Sequence, residues 1–78
     1  MLLTVAQMQR KKYSFTEMRL YLYIYRLQNP YASTCKEYKL ELSRLRALVK
    51  KEGVNWDIIV NKARRMRNFL KENKALAA

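Results

Sequence analysis

Phe15–Gln28, FTEMRLYLYIYRLQ, is the most apolar run in the chain, and its reading decides the fold. Wound as a helix at about 100° per residue, it places Leu20, Ile24 and Leu27 on one side. Met18, Tyr21, Leu22 and Tyr25 carry that surface round the cylinder. Arg19, Tyr23 and Arg26, at i, i+4 and i+7, are left as one narrow polar stripe. A helix apolar over most of its circumference belongs in the middle of a bundle. The same run also alternates Leu20, Leu22 and Ile24 with Tyr21, Tyr23 and Tyr25, a pattern that suits a strand from Arg19 to Leu27. Ser14 decides for the helix, because Glu17 follows it three residues later and the two make a capping box. The flanking segments also read as helical and offer no second strand to pair with.

Upstream, Thr4 and Gln7 make a second capping box, and a short helix from about Val5 to Lys11 would dock Val5 and Met8 on the core. The alternative is a frayed basic arm, residues 1–13, carrying Arg10, Lys11 and Lys12 along a nucleic-acid backbone. Downstream, Asn29 and Pro30 stop the central helix. Thr34, with Glu37 three residues on, is expected to cap a second long helix spanning about 35–52. Cys35, Tyr38, Leu42, Leu45 and Val49 form its apolar stripe, and Leu48 widens it. The Leu42–Val49 part is equally readable as a dimer seam. Glu41 and Arg44 are spaced to pair at i, i+3. Gly53, the only glycine, stands where a helix end needs positive φ. Asn55 caps a last helix, about 56–73, with Trp56, Ile59, Val60, Ala63, Met66 and Leu70 on its apolar face. The expected fold is therefore all-α: one domain with three main helices, a short N-terminal helix and a frayed tail at residues 75–78.

A chain of 78 residues holds one small core, so a homodimer is a natural expectation. The 17 Lys and Arg against six Asp and Glu give a net charge of +11, which points to a polyanionic partner. The candidates are nucleic acid, an acidic protein or, least favoured, an anionic membrane surface. The single Cys35 excludes an intrachain disulfide and suits a reducing, intracellular setting such as cytoplasm, nucleoid or nucleus. Cys35 itself is expected to be a small buried apolar residue. The absence of histidine removes His-based catalysis and the ordinary zinc sites. Each acidic residue has a structural role as a cap or helix-surface charge, and there is no glycine-rich phosphate loop. No enzyme activity, metal, cofactor or membrane span is expected.

The last helix carries the functional expectation. Arg64, Arg67, Lys71 and Lys74 follow one another at i, +3, +7 and +10, while Lys62 and Arg65 lie on the far flank. A row of cations at helical spacing suits phosphates, and the planar fork of arginine grips one with two hydrogen bonds. Asn61 and Asn68, a heptad apart, are candidates for base edges, since asparagine pairs bidentately with adenine. Lys36, Lys39, Arg46 and Lys50 on the preceding helix would add phosphate contacts. Among the six tyrosines, Tyr23 and then Tyr31 are the candidates for stacking on unpaired bases; tyrosines at helical spacing otherwise belong to a core.

Leu45–Arg64, LRALVKKEGVNWDIIVNKAR, resembles a helix-turn-helix: Gly53, Val54, Asn55 and Ile59 stand at the turn glycine, the following apolar position, the polar cap and the apolar position six beyond the glycine. Glu52 and Lys62 depart from the apolar residues usual at their positions. The resemblance implies DNA binding, with the helix that begins at Asn55 in the major groove and Asn55, Trp56, Asp57, Asn61 and Lys62 facing bases or phosphates. The expected function is thus a small basic accessory or regulatory protein that binds nucleic acid, DNA before RNA. The alternative is an adaptor or inhibitor whose basic face grips an acidic patch on a larger protein.

Overall fold

The Ser14 hydroxyl accepts the Glu17 N–H at 3.1 Å, and the Glu17 carboxylate accepts the Ser14 N–H at 2.8 Å. This box opens a helix and removes the strand alternative. The computed structural model of the chain describes residues 1–73 and is all-α. Its helices are α1 (Val5–Arg10), α2 (Phe15–Gln28), α3 (Lys36–Lys51) and α4 (Trp56–Glu72), with one 3₁₀ turn, Ala32–Thr34, between α2 and α3.

Two further caps follow the expected chemistry. Thr4 and Gln7 close a reciprocal box at 3.1 and 2.8 Å, and the Asn55 side-chain oxygen accepts the Asp57 and Ile58 N–H groups at 2.9 and 3.3 Å. Replacing such a cap by Ala typically costs about 1 kcal/mol. The start of α3 departs from expectation. Its first residue follows Cys35, which makes no side-chain cap. The Thr34 hydroxyl instead donates to the Tyr31 carbonyl at 2.8 Å and closes the 3₁₀ turn. Cys35, expected to be buried, is exposed at this helix entrance.

The ends of α1 and α3 share one geometry. After α3, Gly53 takes φ 73°, and Gly53 and Val54 donate to the Lys50 and Val49 carbonyls at 3.0 and 3.1 Å. No atom lies within 4 Å of where a Cβ at Gly53 would stand, so the backbone angle rather than space calls for glycine. After α1, the same paired bonds run from Lys12 and Tyr13 to the Gln9 and Met8 carbonyls, with Lys12 held at φ 62°. A non-glycine residue in this region carries about 1–2 kcal/mol of steric cost.

α2 is the central helix, packed chiefly on α4 and also on α3 and the 3₁₀ turn. Met8, Met18, Leu22, Leu45 and Val49 are the largest fully buried side chains, and each such aliphatic side chain contributes about 1.5–3 kcal/mol of hydrophobic stabilisation. The α3 stripe is therefore spent within the chain's own core, and the Leu42–Val49 dimer seam is set aside. The rotation of α2 also differs from the sequence reading. Its buried residues are Met18, Arg19, Leu22 and Tyr23, whereas Leu20 and Ile24 are half-buried and Leu27 is exposed. Of the supposed polar stripe, Arg19 and Tyr23 are buried, with Tyr23 against Arg67 of α4, and Arg26 stays exposed. Burial of Arg19 is tolerated because arginine has a long apolar stem and because the Arg19 guanidinium sits over the Tyr23 ring, 3.8 Å from its centroid.

The N-terminal segment is tied down rather than frayed. Leu3 N–H donates to the Tyr21 hydroxyl at 2.7 Å, and that hydroxyl donates to the Met1 carbonyl at 3.3 Å. Val5 N–H donates to the buried Glu41 carboxylate at 2.9 Å. The expected Glu41–Arg44 pair is present at 3.0 Å. Val5 and Met8 both dock in the core, as their spacing anticipates.

Candidate nucleic-acid interface

α4 has three differently dressed sides. Ile59 and Ala63 are buried against the bundle, with Trp56, Val60 and Leu70 half-buried beside them. Next round the helix come Arg64, Arg67 and Lys71. Arg64 and Lys71 are exposed, while Arg67 is half-buried and lies towards α2. Its guanidinium carbon stands 4.8 Å from the centroid of the Tyr23 ring. The Arg67 Nε and one terminal nitrogen both donate to the Asn68 side-chain oxygen, at 3.2 and 3.0 Å. This fork fixes where the Arg67 charge sits, and it occupies the acceptor that Asn68 would turn towards a base.

Beside this contact a cleft of about 360 Å³ opens between α2, the turn that follows it and α4. Tyr23, Arg26, Leu27, Pro30, Ser33 and Arg67 line it, and among the described residues no carboxylate does. Behind it, Arg19 is 7% exposed, and its Nε and one terminal nitrogen have no hydrogen-bond partner. Three guanidinium-bearing side chains thus gather around one aromatic ring. The sequence shows them only as a spacing, Arg19 and Tyr23 at i, i+4 and Arg26 three residues later. It does not show that α4 would bring Arg67 to them.

The stacking candidates separate. Tyr23 is 6% exposed and offers no open face to a base, a correction that follows from α4 and Arg19 covering the polar stripe. Tyr31 is 82% exposed on the turn. Asn61, Lys62 and Arg65 are exposed, and so are Lys36, Lys39, Arg46 and Lys50 on α3. These α3 cations lie on the side away from the buried Tyr38, Leu45 and Val49. Lys74 lies outside the described residues.

The third side of α4 was not anticipated. Ile58, Met66 and Phe69 are exposed at 52%, 42% and 64%, with Lys62 and Arg65 among them. Met66 was expected in the core. The helix turn that seats Ala63 and Leu70 inward carries it to the rim.

In the turn between α3 and α4, Gly53 has positive φ and Ile59 is 7% exposed. Of the residues that the resemblance would aim at DNA, the Asn55 side-chain oxygen is used in the cap and Trp56 is half-buried against the core. Asp57, Asn61 and Lys62 are exposed. Comparison with protein-family models, with curated proteins and with solved structures gives no match. Among the described residues, no helix is long and apolar enough to cross a membrane.

Proposed function

We propose that this chain is a small accessory or regulatory protein that binds nucleic acid, DNA before RNA, through the α4 stripe Arg64, Arg67 and Lys71 and the adjoining cleft. One observation carries the reading. Arg44–Glu41 is the single ion pair among the described residues, so the other described cations have no described carboxylate at pairing distance. Unpaired cations on a protein of net charge +11 are available to release the counterions of a phosphate backbone. Lys36, Lys39, Arg46 and Lys50 add a second cationic surface on α3. The proposal goes with an intracellular, cytoplasmic setting, nucleoid or nucleus included.

A second reading keeps the adaptor alternative, with a larger protein as partner. The exposed Ile58, Met66 and Phe69 favour it, because apolar residues of this size on one helix side suit a protein surface better than phosphates. Titration of labelled duplex DNA, single-stranded DNA and duplex RNA at two salt concentrations, with heparin as competitor, tests the two. The nucleic-acid reading expects micromolar or tighter binding at physiological salt and a preference over heparin. Binding that vanishes at physiological salt and ignores polymer type would leave the adaptor as the better account.

A further inference from the structure

The cleft between α2 and α4 has a composition that an open cationic face does not need. Arg26 and Arg67 line it from two helices, Tyr23 and Ser33 line it beside them, and Leu27 and Pro30 form an apolar wall. Its volume of about 360 Å³ is at the lower end of the range for small-ligand pockets. Arg19 lies under the Tyr23 ring with two N–H-bearing nitrogens inaccessible and unpaired. It cannot donate hydrogen bonds into the cleft from those atoms. It contributes its charge, which a low-dielectric surround screens poorly. A buried cation without an anion is costly, and an anion in the adjoining cleft would offset part of that cost.

We infer that this cleft binds a phosphate monoester, specifically the terminal phosphate of a nucleic-acid strand; the choice of strand end as the source rests on the proposed function. The charge favours the monoester over an internal diester. A monoester carries about −1.5 to −2 at pH 7 and faces two guanidinium groups, with the charge of the buried Arg19 beneath the Tyr23 ring, while each internal linkage carries a single charge. Arg26 and Arg67 are the groups that contact the phosphate oxygens, each presenting a planar fork. Asn68 is a positioning residue, acting through its two hydrogen bonds to Arg67. Binding weakens as the pH falls below about 6, where the monoester dianion takes up a proton and becomes a monoanion.

The test has two arms, both run on the full chain in chloride buffer. In the first, inorganic phosphate is titrated while ¹H–¹⁵N spectra are recorded. Saturable shifts centred on Arg26, Ser33 and Arg67, lost in Arg26→Ala and retained in part in Arg26→Lys, are expected. Arg26 is exposed, so its substitution leaves the fold intact. In the second, single-stranded oligonucleotides with a 5′-phosphate, a 3′-phosphate or no terminal phosphate are compared. One terminal phosphate is expected to tighten binding about tenfold, the size of a charge-assisted hydrogen-bonded contact, and Arg26→Ala is expected to erase that gain. Oligonucleotide binding indifferent to the terminal phosphate, with no saturable phosphate shifts, would overturn the cleft proposal and leave the nucleic-acid reading standing. Saturable phosphate shifts without oligonucleotide binding would support the monoester cleft while overturning the strand as its source.

Discussion

Glu41 and Arg19 are the two charged side chains buried among the described residues, and their surroundings differ in kind. Glu41 is 4% exposed and fully engaged: one oxygen accepts the Val5 N–H, and the other accepts from Arg44. It satisfies an N–H at the start of α1 that no helical carbonyl can reach. Arg19 is buried almost as deeply, yet two of its nitrogens have no partner, and its guanidinium lies over the face of Tyr23. The first charge locks the N-terminal segment to α3. The second leaves positive potential unneutralised where α2 meets α4. A folded chain retains the first kind for stability. The second kind is the one to probe for a ligand, because its removal need not cost stability at all.

Substitution at Glu41 gives the largest expected stability effect. Glu41→Ala leaves the Val5 N–H buried without an acceptor, at a cost of about 2–3 kcal/mol. In a domain of this size that lowers Tm by about 10–20 °C in a thermal melt followed by circular dichroism. An unchanged Tm would mean that the α1 junction is not held by this carboxylate.

Arg19 sharpens the contrast. Arg19→Met keeps a similar stem and removes the unpaired charge. Its stability is expected to stay level or rise by about 1 kcal/mol, while phosphate binding in the cleft weakens. A loss of more than about 2 kcal/mol in denaturant unfolding would show that Arg19, like Glu41, is a structural charge.

The contrast was half legible in the sequence. Capping boxes at Thr4 and Ser14, the Asn55 cap, the Gly53 turn and the Glu41–Arg44 pair all depend on residues within five positions of one another, so spacing alone locates them. The bond from Glu41 to Val5 spans 36 positions, and nothing in either local pattern announces it. Arg19 and Tyr23 read as a solvent stripe because a helical wheel knows polarity but not neighbours. α4 covers that stripe and turns it into an interior seam. Thr34 had two local options, a helix cap or the 3₁₀ turn, and the backbone after Pro30 selects the second. Met66 lies at the edge of an apolar arc, where a small helix rotation decides between core and rim. Ile58 and Phe69 lie outside that arc, and their exposure could have been suspected from the wheel.

Two smaller substitutions probe the remaining local features. The Tyr38 hydroxyl is buried without a partner, so Tyr38→Phe removes a desolvated polar group and is expected to stabilise by up to about 1 kcal/mol in denaturant unfolding. A loss of comparable size would show that the hydroxyl has an unrecognised partner, as the Glu41 carboxylate does in Val5. Lys12→Gly relieves the strained turn after α1 and is expected to stabilise by a few tenths of a kcal/mol, the steric gain being offset by the entropy of glycine in the unfolded chain. A clear loss would mean that the Lys12 side chain contributes more than its backbone angle costs.

Whether the α4 stripe binds a phosphate backbone is decided by its salt dependence. Affinity for a labelled duplex is recorded by fluorescence anisotropy across a chloride series, for the native chain and for the triple variant Arg64→Ala, Arg67→Ala, Lys71→Ala. Unchanged helicity, affinity weakened about equally across duplex sequences, and a salt slope shallower by up to ~3, near one unit for each lost phosphate contact, are expected. Equal affinity and an equal slope in the folded triple variant would contradict phosphate binding by the stripe and remove it from the mechanism.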